Sequence, residues 1–288
     1  MKIEQLTSAL TPAQLQFLET KVIEGEHTPE GWISLLEGCS NFDAIGDRMR
    51  AADSQKVFIS GALLFVSLFF MALPVVAGIL ALAGIAGLAI FIPRTKALKK
   101  LDIELDLHKF CLPVLAIVRE DMAKGAKVHL KLDLRGSNIA DKQTKKPEKI
   151  SLAARGATAT VTGYQDEWFA GDAPLRDGSR MRWRIVDDVV LTEKTKVNPR
   201  GKTKRKKKYK RDTGVYVQVK FMEGRYNLVD PPTPANSNGE LEITRQGQTV
   251  KVYREVRFAS EKIDLPPDVF IDTVGQAFRL ATPIGKVQ

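Results

Sequence analysis

From Val57 to Pro93 the chain carries no Asp, Glu, Lys or Arg, and Ser60 and Ser67 are its only hydroxyl side chains there. A run this long is too costly to expose to water and too large for the core of a small soluble domain, so it predicts a membrane-embedded segment. As one helix, Val57 to Ile92 would extend roughly 54 Å, against a hydrocarbon core of about 30 Å. Pro74 stands near its middle, where it removes a backbone donor and clashes with the preceding turn. The reading that satisfies both facts is a two-helix transmembrane hairpin, Val57–Leu73 followed by Val75–Ile92, each arm about 26 Å long. A single tilted, kinked helix and a buried soluble hairpin are the competing readings.

The flanks favour the hairpin. Arg48, Arg50 and Lys56 precede the run, and Arg94, Lys96, Lys99 and Lys100 follow it. Cations on both sides draw both ends to the cytoplasmic face, which an even number of spans allows. The expected location is a membrane, with the bacterial inner membrane favoured and both termini cytoplasmic. In the second arm Ala77 and Ala81, and likewise Ala83 and Gly87, lie four apart, a spacing that lets another helix approach closely. That neighbour is either the first arm or a second copy in a homo-oligomer.

Charge divides the rest of the chain. The formal net charge is +10, yet residues 1–56 hold 5 Lys/Arg and 9 Asp/Glu, leaving 39 Lys/Arg and 25 Asp/Glu to residues 94–288. The acidic head, 1–56, reads as a small helical bundle. Thr11-Pro12 and Thr28-Pro29 are helix starts with a capping hydroxyl and proline at the first helical position. Asn41 is a candidate cap for a third helix, and Trp32 a core anchor. Residues 57–93 form the hairpin, and 94–125 a juxtamembrane helical connector that Pro113 kinks or splits.

At Lys127 the hydrophobic period changes from helical to alternating. Lys127 to Leu134 puts Val and Leu on one face and Lys, His and Asp on the other, a half-buried strand. Further strands are expected at 158–164, 180–186, 189–197, 214–221, 225–229, 240–245 and 249–258, with a closing helix over 267–280. Many short strands with close turns predict an antiparallel β-rich domain over 126–288, a sandwich or an open barrel. The fold class is therefore an α+β membrane protein. Trp183 is expected in the core; Trp168 and Phe169 are either core or the wall of a ligand groove.

The strongest polar signal lies between two of those strands. Lys194, Lys196 and Arg200 lead into Lys202, Lys204, Arg205, Lys206, Lys207 and Lys208, then Lys210 and Arg211, with no acid among them. Asn198-Pro199-Arg200-Gly201 is a turn sequence. The expected structure is a protruding cationic β-hairpin over about 189–221 that needs screening or an anionic partner. Anionic lipid headgroups are the nearest polyanion. Nucleic acid is the second candidate, with stacking on Tyr209, and a solvated basic loop is the third.

Catalytic signals are weak. His27, His108 and His129 have no metal-ligand spacing, Cys39 and Cys111 match no metal or redox spacing, and no phosphate-binding loop is present. Asp187 and Asp188 point to opposite faces of a strand, and the neighbouring Asp166, Glu167, Asp172 and Asp177 read mostly as turn formers. No cofactor, metal or small-molecule substrate is inferred, and the balance leans away from an enzyme. The sequence thus points to a membrane-anchored scaffold or assembly protein presenting a basic β domain to a polyanion. A channel-like or membrane-permeabilising oligomer and a membrane-bound enzyme without recognisable motif are the alternatives.

Overall fold

The computed structural model describes residues 3–103, 107–151, 157–197, 201–231, 241–258 and 265–284. Its helices are α1 (Ile3–Thr7), α2 (Pro12–Thr20), α3 (Pro29–Ser67), α4 (Pro74–Lys100), α5 (Cys111–Glu120) and α6 (Pro267–Phe278). Its strands are β1 (Val22–His27), β2 (Val128–Asp133), β3 (Gln143–Ser151), β4 (Ala157–Pro174), β5 (Arg180–Val197), β6 (Thr203–Lys220), β7 (Tyr226–Leu228), β8 (Leu241–Gln246), β9 (Thr249–Phe258) and β10 (Ala281–Pro283). The chain divides into two compact units, Met1–Thr20 with Leu35–Ile103, and Lys21–Ser34 with Glu104–Gln288.

In the first unit, α2 opens with a reciprocal cap. The Gln14 amide donates to the Thr11 hydroxyl (3.3 Å), and the Thr11 amide donates to Gln14 Oε1 (2.9 Å). The Gln14 side chain also donates to the Leu35 carbonyl (3.2 Å), tying α2 to α3. The helix boundary expected at Asn41 does not occur: α3 runs unbroken for 39 residues. Its distal part and α4 lie antiparallel, joined by a short 3₁₀ turn at Leu68–Phe70 and restarted by Pro74 at the first turn of α4. Both helices are long and apolar enough to cross a membrane.

The two arms meet through small residues. A Cβ at Gly84 would lie 2.6 Å from Leu64 Cγ and 2.8 Å from the Ser60 carbonyl, so only glycine permits this approach. A Cβ at Gly87 would meet the Ser60 hydroxyl. Ser60 and Ser67, the only hydroxyls of the charge-free run, are both buried, and the Ser67 hydroxyl donates to the Leu64 carbonyl at 2.7 Å. Phe58, Phe65, Phe69, Val75, Ile79 and Leu82 are exposed. The hairpin is thus polar inside and apolar outside. Where charge resumes, Arg94 reaches the buried Asp53 carboxylate (2.8 Å), and the Lys56 ammonium lies 5.0 Å from the centre of the Phe91 ring.

The second unit is built on one antiparallel sheet in the order β1-β2-β4-β5-β6-β9-β8, with β3 beside the outer half of β4. The end strands β1 and β8 do not pair, so this sheet does not close on itself, and β7 and β10 form a separate two-stranded sheet. The sheet also takes in β1, from the segment expected to be wholly helical. Val22 to His27 pairs with Asp133 to Val128. Trp32, at the start of α3, is fully buried and donates from Nε1 to the Val128 carbonyl (3.0 Å). A reversed-phase residue, Lys21 at φ 60°, makes the turn from α2 into β1.

One face of the sheet is covered by α5, α6 and the residue before α5. Phe110 packs on Trp168 (5.3 Å) and Phe169 (5.8 Å), and Phe270 on Trp183 (6.0 Å). Trp168 and Phe169 are adjacent yet both fully buried, because the register of β4 against β5 shifts between Glu167 and Phe169. The extra residue lets two consecutive rings point inward. They belong to the core and wall no ligand groove. The expected break between 180–186 and 189–197 is also absent: β5 continues through Asp187 and Asp188 for 18 residues. In the connector, expected to be helical with a kink or split at Pro113, α4 ends at Lys100 and Pro113 lies in the first turn of a new helix, α5. Residues 232–240, between the strands expected at 225–229 and 240–245, and the turn residues 198–200, lie outside the described residues.

Candidate functional site

The register of β5 and β6 sorts the cationic segment by face. It runs without a shift from Arg180 opposite Lys220 to Val197 opposite Thr203. Side chains alternate along each strand, and directly opposed residues share a face. Val189 and Leu191 belong to the covered face, so the residues between them point the other way. Lys194 opposite Lys206 and Lys196 opposite Lys204 therefore stand on the open face, as do Lys208 and Lys210. Arg205 and Lys207 take the other side, where Lys207 pairs with Glu193 at 3.0 Å. Lys202 is exposed just before β6, and Arg200 lies outside the described residues.

Arg211 does not belong to this surface. It is 4% exposed and holds the fully buried Asp187 carboxylate at 2.6 Å, while the Thr213 hydroxyl donates to the same group at 2.6 Å. Its charge neutralises a core acid. Tyr209 shares a face with Leu191, opposite to Lys208 and Lys210, and its hydroxyl accepts from Asn138 (3.3 Å). It is thus badly placed to stack a base held by those lysines.

Nearer the centre of the sheet the same open face continues through Arg180, Arg182 and Arg184 on β5. Arg180 and Arg182 both bind Asp172, at 2.5 and 2.7 Å. Burial pushes the Asp172 carboxyl up, but the two guanidiniums outweigh it and hold it below the usual carboxylate range. Arg184 stacks on Tyr216, 4.4 Å from the ring centre, and Tyr216 lies 4.6 Å from Tyr253 on the next strand. Gly214 makes room for the pair, since a Cβ there would lie 2.9 Å from both rings. Lys131, paired with Glu167 at 3.2 Å, and Lys251 complete the rim of a recess of about 560 Å³. Sequence reasoning missed Tyr216, Tyr253 and Lys251; the alternation of each strand was visible, but which strands are neighbours was not.

The acids read as turn formers play three parts. Asp177 is in a turn, where it accepts from the Ser179 amide (2.8 Å) and from the Tyr226 hydroxyl (2.5 Å). Asp166 and Asp187 are directly opposed on β4 and β5, each with its own cation. Lys142 lies 2.5 Å from Asp166 and 3.1 Å from Asp133. Burial pushes the Asp166 carboxyl up to about 6, although Lys142 opposes it. Asp187 is likewise raised by burial, against the pull of Arg211. Asp188 is exposed on the other face and accepts from Gln165 (3.1 Å). These buried acids are paired with cations, which is the arrangement of a structural ion network.

In the helical unit Asp43, Asp47 and Asp102 converge, but the Arg50 guanidinium bonds to both Asp47 and Asp102 and neutralises them. His129 lies 3.4 Å from Glu24, His27 packs edge-on to Trp32, and His108 is exposed in a turn, so among the described residues the histidines share no site. Of the small residues singled out in the second arm, Gly87 faces α3, Ala77 and Ala81 are half-buried, and Ala83 is exposed. Gly84, not Ala83, makes the close contact.

No protein-family model, curated protein or solved structure matches the chain. What the fold and the surface define is a class: an α+β protein with a large antiparallel sheet, one face of it open and cationic, and two long apolar helices compatible with membrane spans.

Proposed function

We propose that this chain is a membrane-anchored scaffold or assembly protein that presents the open face of its sheet to a polyanion. The anchor is the α3–α4 hairpin, inserted with both flanking cationic segments on one side, in the manner of a bacterial inner-membrane protein with cytoplasmic termini. Its support is the inverted polarity of the hairpin: its serines are buried while Phe58, Phe65 and Phe69 are exposed, the reverse of a water-soluble helix pair.

The observation that carries the polyanion reading is like-charge opposition. Lys194 faces Lys206 and Lys196 faces Lys204 directly across the ladder. Such pairs destabilise the hairpin that holds them. An anion laid along the face removes that penalty and gains about 1 kcal/mol per cation near an anionic surface. Of the small residues on which the channel-like alternative draws, Gly87 faces α3, whereas Ala83 is exposed.

The test uses the full chain reconstituted in neutral nanodiscs, titrated with heparin or anionic vesicles over a series of salt concentrations. The native chain binds, with affinity falling steeply as salt rises; replacing Lys194, Lys196, Lys204 and Lys206 with Gln weakens binding and flattens that dependence. Equal binding by the two chains would remove the reading.

A further inference from the structure

We infer that the polyanion is a single-stranded nucleic acid, held along β5 and β6 with bases stacked at Tyr216 and Tyr253; this rests on the polyanion reading above. Three observations separate a strand from a lipid surface. The first is shape. The open-face cations lie on two neighbouring strands of 18 residues each, in one cluster from Lys196 and Lys204 to Lys210 and another from Arg184 to Arg180 and Lys220, with Asp188 opposite Asp212 between them. At about 3.3 Å per residue this line is roughly 60 Å long, and with strands about 4.8 Å apart it is narrow. A narrow line of charge matches a linear polyanion better than a plane of headgroups.

The second is the aromatic pair. Arg184, Tyr216 and Tyr253 line up across three adjacent strands, with centres 4.4 and 4.6 Å apart and the two rings inclined by 34°. Both tyrosines are half-buried on the open face and lodged over Gly214. Aromatic rings that serve a membrane protrude to headgroup depth; rings recessed between cations offer a flat platform to a base.

The third is the recess. It lies on the same face, is about 560 Å³ in volume, and is bordered by Tyr216, Tyr253, Arg184 and Lys251. Among the described residues neither Arg184 nor Lys251 has a carboxylate partner, unlike Arg180, Arg182 and Lys131. Glu242 also lines the recess and Glu255 accepts from the Tyr253 hydroxyl, yet neither forms an ion pair with Arg184 or Lys251, and two such cations beside an aromatic pair suit a phosphate next to a stacked base. The reading is sequence-tolerant, since every base has a π-face and β5 and β6 offer the backbone mainly lysine and arginine.

Fluorescence anisotropy with labelled single-stranded oligonucleotides of about 20 nucleotides, on the full chain in neutral nanodiscs, tests this. Co-sedimentation with anionic vesicles runs in parallel. Expected is oligonucleotide binding that the double variant Tyr216→Leu/Tyr253→Leu weakens roughly tenfold or more, because stacking contributes that much per base. The Phe counterparts at both positions retain binding, and vesicle association is the same for all. Arg184→Gln, which leaves the rings in place, is the second variant should the leucine pair fail to fold; it also weakens oligonucleotide binding. Vesicle or heparin binding without oligonucleotide binding overturns this inference and leaves the polyanion reading standing, as does oligonucleotide binding indifferent to both Tyr216/Tyr253 and Arg184. Binding to none of the polyanions removes both.

Discussion

The α3–α4 hairpin and the outer half of the β5–β6 ribbon share a difficulty and answer it in opposite ways. Neither has enough chain around it to bury what it carries. The hairpin turns its two serines inward and leaves Phe58, Phe65, Phe69 and Ile79 exposed. The ribbon leaves both faces exposed from Lys204 to Lys208 and crowds lysines on one of them. A surface at odds with water in the first case, and with itself in the second, is what motivates the two proposed partners: hydrocarbon for one, negative charge for the other. Within β6 the same contrast is drawn residue by residue. Arg205 is exposed, while Arg211, six residues on, neutralises a core acid.

That last pair gives the sharpest way to break the comparison. Arg211→Gln leaves the fully buried Asp187 without its cation, and costs the sheet unit about 3–5 kcal/mol. Arg205→Gln changes stability by less than about 0.5 kcal/mol, as an exposed position should. Chemical denaturation of both variants decides it; equal losses would mean that the two arginines are not in different environments.

The hairpin offers a smaller effect of the same kind. Gly84→Leu drives a side chain into Leu64 and the Ser60 carbonyl, and is expected to lower stability in detergent by about 1–3 kcal/mol or more. Ala83→Leu, one residue away and exposed, has little effect on the monomer. If Ala83→Leu were the more damaging, the inner face of α4 would be misassigned.

A third prediction concerns pH. Because burial raises Asp166 to about 6, from an ordinary value of 3.8, the folded state holds that proton more tightly than the unfolded state does. Its contribution to stability is fully present below the ordinary value and is lost as pH rises through about 6. Asp166→Asn should flatten the stability profile between about pH 4 and pH 6 in thermal melts. Asp133 and Asp172 do not interfere, since their cations hold them below the usual range and their contributions are lost at lower pH. An unchanged slope in the Asn variant would count against the buried network.

The smallest effect is also the least intuitive. Removing one charge from an opposed pair, as in Lys194→Gln, should stabilise the ribbon by a few tenths of a kcal/mol, roughly the size of a cross-strand pair. The same change weakens polyanion binding. Stability and binding moving in the same direction would contradict the idea that these lysines serve a partner.

Much of this was legible in the sequence wherever a single element reveals its own environment. The charge-free run and Pro74 announced two apolar helices and their turn; the alternation from Lys127 announced a half-buried strand; Thr11 and Thr28 announced helix starts. What stayed hidden depends on neighbours distant in sequence. Val22 to His27 is short and interrupted by Gly25, and becomes a strand because β2 offers it an edge. Asp187-Asp188 resembles a turn until Arg211 and Thr213 arrive from the next strand to satisfy Asp187. Trp168-Phe169 violates alternation, and the shift of register that admits both rings is a property of the pairing. For the site, the sequence showed the cations but not their faces. It drew attention to Tyr209, whereas the aromatic pair on the open face is Tyr216 with Tyr253, joined only once β6 meets β9.

The central claim is that charge works from one face of the ribbon, and two double variants with equal charge change test it most directly. Lys204→Gln/Lys206→Gln removes two charges from the open face, and Arg205→Gln/Lys207→Gln removes two from the other, within the same four residues of β6. Measured by heparin affinity at fixed salt, the first is expected to lose roughly tenfold or more, at about 1 kcal/mol per charge, and the second far less. Equal losses from the two variants would show a cloud of charge without a binding face, and the account would be wrong.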